Sequence, residues 1–252
     1  MMAYMASEFT DIADMPRGGP DASCLDRLLE TDRPEYLDRD DIDDDVKRGI
    51  VAALDRIGTV FGEHDRNAEL VLREVADIAD PKILELGAGH GALSRKLLEQ
   101  HPTALVTVSD VNPESVAAMA ASDLGGHPRA TVRVIDATAI DGADGEFDLA
   151  VFALSFHHLP PAQAARVLAE GARVARELLV IDLPRMPSPL HIAKLAVLAP
   201  LAWWPFAHDG LISSLRSYSP SALRALGAHA GLDVDVSTNP FDRQVLVARR
   251  PG

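Results

Sequence analysis

The sequence predicts a doubly wound α/β fold: a mostly parallel sheet of seven strands with helices on both faces. Three observations carry the prediction. Short apolar runs alternate with helical periodicities from Lys82 onward, and alternating strand and helix implies parallel strands joined by right-handed crossovers. Four of the first five runs are near-continuously apolar, as strands buried on both faces are. The first run leads straight into a glycine cluster that opens a helix.

The chain has 252 residues, 47% of them hydrophobic, which is enough for one α/β domain with an appendage. Lys and Arg number 24 against 38 Asp and Glu, a formal net charge of −14. An acidic balance disfavours nucleic acid or anionic lipid as the main partner, because phosphates select clustered Lys and Arg. The single cysteine, Cys24, excludes an internal disulfide and a Cys-based zinc site, so a reducing cytoplasm is the expected location. Residues 1–20 lack the charged start and apolar core of a secretory signal. The longest apolar stretch, Pro189 to Phe206, is interrupted by His191, Lys194 and Pro200 and falls short of the roughly 20 apolar residues a membrane-spanning helix needs.

Taken in order, residues 1–45 form an acidic segment open to partial disorder. Residues 1–48 hold 14 acids and 6 bases, so much of the net charge sits at this end. The run Asp38 to Asp45 reads as a solvated helix entry, since acids near a helix N-terminus cap free N–H groups and suit the macrodipole. It lacks the glycine and distal Glu of a calcium loop, and no metal site is expected. Residues 46–80 read as a helical cap. Ile50, Leu54, Ile57 and Phe61 mark one face of a first helix, and Val71, Val75 and Ile78 mark a second that stops before Asp80-Pro81.

Residues 81–252 form the main domain. Its strands are expected at Lys82–Leu86, Ala104–Asp110, Ala130–Asp136, Phe147–Leu154 and Glu177–Leu183, with helices at Ala92–Gln100, Pro113–Leu124 and Pro161–Val174. A helix at Ser219–His229 and a hairpin of Leu232–Thr238 and Asp242–Arg249, turning at Asn239-Pro240, close the chain at the sheet edge.

The turn Gly87-Ala88-Gly89-His90-Gly91 places three glycines where the backbone bends tightly and a ligand approaches its N–H groups. This marks a nucleotide-type site. Gly87-x-Gly89-x-x-Ala92 also satisfies the dinucleotide fingerprint, with Asp110 about 20 residues on. Three features point away from a dinucleotide: about 80 residues precede the first strand, Asp136 adds a second acid at the crevice, and the fourth strand exits through Phe156-His157-His158-Leu159.

With these motifs in order, the chain resembles the class I S-adenosylmethionine-dependent methyltransferases of small-molecule type over about residues 45–250. Ile83 to Gly91 looks like their first motif, Asp110 like the acid closing the second strand, Asp136-Ala137 like the adenine-side motif, and Phe147-Asp148 to Leu159 like the fourth-strand motif. Arg216 to Pro220, followed by Leu223 and a final hairpin, is similar to the ending of small-molecule members. The resemblance implies S-adenosylmethionine as cofactor, held by Glu85, Gly87, Ala88, Gly89, Asp110, Val111, Asp136, Ala137 and Ala153. The glycine loop would carry the methionine moiety, Asp110 both ribose hydroxyls and Asp136 the adenine amino group, with Val111 and Ala137 flanking the ring. Glu85 would order the loop rather than reach far into the site.

Methyl transfer is an in-line displacement, so the enzyme mainly aligns a nucleophile, and a hydroxyl acceptor gains from a nearby histidine base. His158 is the first candidate base, and His208, beside Asp209, the second; Asp182 at the fifth strand's end is a third. Strand alternation would point only one of His157 and His158 into the site. Residues 184–216 are rich in Leu, Ile, Val, Trp and Phe and read as an apolar lid over a hydrophobic acceptor. His157, Trp203, Trp204 and Tyr218 are the candidate acceptor contacts. The expectation is O-methylation of an aromatic, polyketide-like or quinone-like metabolite. C-methylation, a nicotinamide-dependent oxidoreductase, a catalytically inactive binding protein of this fold, and a homodimer stay open.

Overall fold

The computed structural model describes residues 11–198, 204–239 and 242–252. Seven strands form one sheet: β1 (Lys82–Leu86), β2 (Leu105–Asp110), β3 (Ala130–Val134), β4 (Phe147–Ala153), β5 (Ala175–Asp182), β6 (Asp233–Thr238) and β7 (Gln244–Arg249). Their spatial order is β3-β2-β1-β4-β5-β7-β6. The first five are mutually parallel, while β7 runs antiparallel to both β5 and β6. The closing hairpin therefore inserts its second strand beside β5 and leaves β6 at the edge. Pro240 of its turn lies outside the described residues; Asn239 N–H donates to the Arg243 carbonyl at 2.8 Å.

Strand residues alternate between two cores, the direct consequence of a period of two in a sheet covered on both faces. Ile83, Leu149, Val151, Leu179 and Ile181 pack with Ala68, Val71, Leu93 and Leu97 of α3 (Glu63–Glu74) and α4 (Ala92–Gln100). Leu84, Leu86, Ala150, Phe152, Leu178 and Val180 face the other way, onto Ala164, Val167 and Leu168 of α6 (Pro161–Val174) and Leu223 and Leu226 of α9 (Pro220–His229). Each fully buried aliphatic side chain contributes roughly 1.5–3 kcal/mol, so neither layer can be peeled off without losing most of the fold's stability.

The remaining described helices are α1 (Cys24–Leu28), α2 (Asp44–Val60), α5 (Pro113–Ala120), α7 (Ser188–Leu198) and α8 (Pro205–Arg216). The acidic run does open a helix: Asp43 caps α2 by accepting the Asp45 N–H at 2.7 Å. Helix α5 ends four residues before the sequence suggested, and α3 stops at Glu74 rather than running to Ile78. The third strand stops at Val134, and the fifth begins earlier, at Ala175, directly from α6.

Residues 11–45, open to disorder in the sequence reading, pack onto the domain. Arg185, just past β5, is the tie. Its side chain is 1% exposed, pairs with Asp26 at 2.9 Å, and donates to the Leu215 and Ser217 carbonyls at 3.0 and 3.1 Å. Arg17 likewise donates to the carbonyls of His157 and Arg216 at 2.8 and 2.5 Å. Among the described residues no helix is long and apolar enough to cross a membrane.

Candidate active site

Topology locates the site before any side chain is considered. The strand order reverses between β1 and β4, and ligands of open α/β sheets bind outside the carboxyl ends at that reversal. Two segments leave there, residues 87–91 after β1 and residues 154–158 after β4. They meet: the Ser155 hydroxyl reaches the Gly87 carbonyl in a long hydrogen bond of 3.4 Å.

Gly87, Gly89 and Gly91 have φ of 63°, 58° and 80°, left-handed values that strain any residue with a Cβ. They differ in what surrounds them. A Cβ on Gly87 would sit 3.3 Å from the Phe152 ring, whereas one on Gly89 would meet nothing within 4 Å. The loop thus backs onto β4 at Gly87 and opens to the crevice at Gly89. Asp110, ending β2, accepts the Gly89 N–H at 2.8 Å and the Asn112 N–H at 2.9 Å, one on each carboxylate oxygen. A carboxylate offers about four acceptor positions, so each oxygen retains one for a ligand. Ala88 N–H donates to the Ser109 carbonyl at 2.9 Å. Next to Asp110, Val111 is 63% exposed, an apolar surface facing outward at the crevice edge. Asp136 accepts the backbone and hydroxyl protons of Thr138 at 2.8 and 2.7 Å, Ala137 packs at the core's margin, and Ala153 closes β4.

Glu85 lies beneath this loop, 3% exposed, and accepts a hydrogen bond from the Ser94 hydroxyl of α4. It ties strand to helix. Burial pushes its pKa up to about 7, against the opposing pull of Ser94. The folded state therefore keeps a proton that the unfolded chain releases near its ordinary value of 4.5. Stability is unaffected by this group below that value and falls as pH rises toward 7, by about 3 kcal/mol in all. Glu85→Gln is expected to match wild type in urea unfolding at pH 4.5 and to exceed it at pH 8.

The second segment carries the histidines. Leu154, with φ of 57°, is the one positive-φ non-glycine residue among those described, and it turns the chain out of β4. Residues Phe156–His158 then form a short 3-10 turn rather than a continuing strand. The alternation expected for His157 and His158 consequently does not apply. Their rings lie 4.4 Å apart and both Nε2 atoms face Glu35. His157 is buried, with Nδ1 at 2.7 Å from Asp182 and Nε2 at 3.5 Å from Glu35, an ion-pair rather than a hydrogen-bond distance. Burial pushes its pKa down, but the two carboxylates outweigh that and raise it to about 9. The partners respond in kind. Burial works to raise Glu35 and Asp182, yet both are held below the usual carboxylate range by the histidines.

His158 is more accessible, its side chain 28% exposed. Its Nδ1 lies 2.9 Å from Asp38, which also pairs with Arg216 at 3.2 Å. Glu35 precedes, and Asp38 ends, the short 3-10 turn Tyr36–Asp38 in the acidic N-terminal segment. Sequence reading missed both: Asp38 passed as part of a solvated run, and contacts across 120 residues leave no local periodicity. Asp182 had only its place at a strand end to suggest it.

Other candidates sit elsewhere. His208 stacks on Tyr36 with ring centroids 4.1 Å apart and bonds Asp209 at 2.9 Å, while Asp209 accepts the Tyr36 N–H at 2.8 Å. The pair pins the N-terminal turn. Tyr218 is buried, and its hydroxyl donates to the Leu159 carbonyl at 2.7 Å. Trp204 is exposed at the start of α8, and Trp203 lies outside the described residues. The expected apolar lid is also altered. The buried side of α8 is mostly polar, with Asp209, Ser213, Ser214 and Arg216 beside Ile212, while Leu190, Ile192 and Val197 of α7 are exposed.

Residues 83–177 match the model of a methyltransferase domain. That stretch, which opens with β1 and reaches into β5, is similar to a methyltransferase domain. A malonyl-[acyl-carrier protein] O-methyltransferase of Geobacter sulfurreducens is 37% identical over 99 residues, 37% of each protein. A ribosomal RNA small subunit methyltransferase C of Pseudomonas entomophila is 32% identical over 100 residues, 38% of this chain and 28% of that one. The match spans about a third of these relatives' length. A magnesium protoporphyrin IX methyltransferase from Synechocystis PCC 6803, solved with bound SAH, superposes with a TM-score of 0.54 at 20% identity, over 86% of this chain and 91% of that one. The glycine loop and Asp110 meet through the Gly89 N–H and leave room and acceptor capacity that suit such a cofactor. Space opens at Gly89, and acceptor capacity remains on Asp110.

Proposed function

We propose that this protein transfers a methyl group from S-adenosylmethionine to a small hydrophobic acceptor, by O-methylation of an aromatic, polyketide-like or quinone-like metabolite. One observation carries the reading: the loop suited to the donor and the turn bearing His158 leave adjacent strands and are joined by the bond from Ser155 to Gly87. In this reading residues 46–80 cap the crevice, residues 81–252 form the catalytic domain, and residues 184–216 cover the acceptor. The net charge of −14 supports a neutral acceptor over a polyphosphate.

The cofactor supplies an already activated methyl group on a sulfonium. The chain's own residues do the rest. The backbone at Gly87 to Gly89 bears the amino-acid end, Asp110 accepts the ribose hydroxyls in charge-assisted bonds, and Asp136 accepts the adenine amino group. Asp38 holds His158 by Nδ1, so the imidazole orients the acceptor hydroxyl and takes its proton. Arg216 donates to the His158 carbonyl at 2.6 Å and steadies the turn.

The test is turnover with labelled donor and a panel of phenols and quinols, read by mass spectrometry as gain of one CH2. His158→Gln is expected to lower kcat by roughly 10²–10⁴ with donor affinity unchanged. An unchanged kcat would remove His158 from the reaction, and no transfer to any acceptor of this class would remove the acceptor assignment.

A further inference from the structure

We propose that Glu35, His157 and His158 form a binding site for a divalent cation of the zinc class. The proposal is independent of methyl transfer and contradicts the expectation, drawn from sequence, that the chain holds no metal.

Three observations carry it. First, one ring nitrogen from each of His157 and His158 and a carboxylate oxygen of Glu35 lie within 4.8 Å of one another. His157 Nε2 stands 3.5 Å from Glu35 Oε1 and His158 Nε2 stands 3.9 Å from Glu35 Oε2, against about 3.3 Å between ligands in a tetrahedral zinc shell with bonds near 2.0–2.1 Å. Small side-chain rotations close the difference. Second, His157 Nε2 is buried and makes no hydrogen bond, its ion-pair partner Glu35 standing off at 3.5 Å, so its bonding capacity is left unfilled. Third, each ligand is fixed from behind. Asp182 accepts His157 Nδ1 at 2.7 Å, Asp38 lies 2.9 Å from His158 Nδ1, and the Ser213 hydroxyl donates to Glu35 at 2.6 Å. Carboxylate–histidine pairs of this kind orient metal ligands and set their tautomers.

The charges point the same way. Glu35, Asp38 and Asp182 bring three carboxylates to the cluster. The nearby cations are Arg216, which pairs with Asp38, and Arg17, which is spent on carbonyls. Two imidazoles and one carboxylate suit zinc, cobalt or iron(II) rather than magnesium or calcium, and leave a fourth position open. An ion there and a proton in transit compete for the same nitrogen of His158, so the ion-loaded site is a distinct state of the enzyme.

The experiment uses the untagged full chain, freed of metal with chelator and titrated calorimetrically with zinc chloride. One equivalent is expected to bind, with magnesium chloride giving no heat. Glu35→Gln and His158→Gln are each expected to weaken zinc by more than 100-fold, and Asp38→Asn by roughly 10–100-fold as an outer partner. Cobalt(II) added to wild type, which needs no variant to fold, should give the intense visible bands of a four- or five-coordinate nitrogen-ligated ion. Absence of zinc binding, the weak bands of six-coordinate cobalt, or unchanged zinc affinity in both folded ligand variants would overturn the site.

Discussion

Replacing Asp110 by alanine is expected to weaken binding of S-adenosylmethionine by roughly 100-fold in calorimetry. Its two oxygens each hold one loop N–H, at Gly89 and Asn112, and each retains capacity for one ribose hydroxyl. Hydrogen bonds to charged groups contribute about 1.5–3 kcal/mol apiece, so losing two corresponds to at least two decades of affinity. The variant also frees the Gly89 N–H, loosening the loop before the cofactor arrives. Asp110→Asn keeps the volume and one good acceptor, and should fall between the two. An alanine variant with wild-type affinity would show that the ribose is gripped elsewhere.

Asp182→Ala is expected to be the most destabilising single change at the site, costing about 3–5 kcal/mol in urea unfolding. Asp182 accepts the His157 backbone N–H at 2.8 Å, its ring Nδ1 at 2.7 Å, and the Leu183 N–H at 2.8 Å, all away from water. Alanine leaves these donors orphaned and a buried imidazole facing Glu35 alone. The pH dependence has a definite sign. His157 is raised from 6.5 to about 9, so the stabilisation it provides is fully present below pH 6.5 and is lost as pH rises through 9. The variant's deficit relative to wild type should therefore shrink between pH 7 and 10. A loss below 1 kcal/mol, or a deficit independent of pH, would mean that the pair contributes nothing measurable.

What the sequence revealed and what it concealed divide along a physical line. Helices α4 and α6 and strand β1 match their expected bounds because each is marked locally: a continuous apolar run, a glycine cluster, a proline at the first helical turn. Asp110 was legible as a strand end for the same reason, after an apolar run, whereas Asp136 falls two residues past the end of β3. The histidines were found but misplaced. Their strand-like setting hid the left-handed Leu154, and no rule read from composition predicts a positive φ at leucine. Glu35 and Asp38 were invisible as site residues, since nothing in an acidic segment distinguishes the two that fold back onto the turn Phe156–His158 from those that stay in water. The polar inner face of α8 was masked by the tryptophans and leucines around it.

In the proposed reaction the turn after β1 bears the donor's amino-acid end while Asp110 holds its sugar. Titration of isotopically labelled protein with S-adenosylmethionine, followed by amide NMR, tests this most directly. Saturating shifts at one equivalent are expected for Gly87, Ala88, Gly89, Val111 and Asn112, with β6 and β7 unmoved. Shifts confined to other surfaces, or none at millimolar donor, would contradict it.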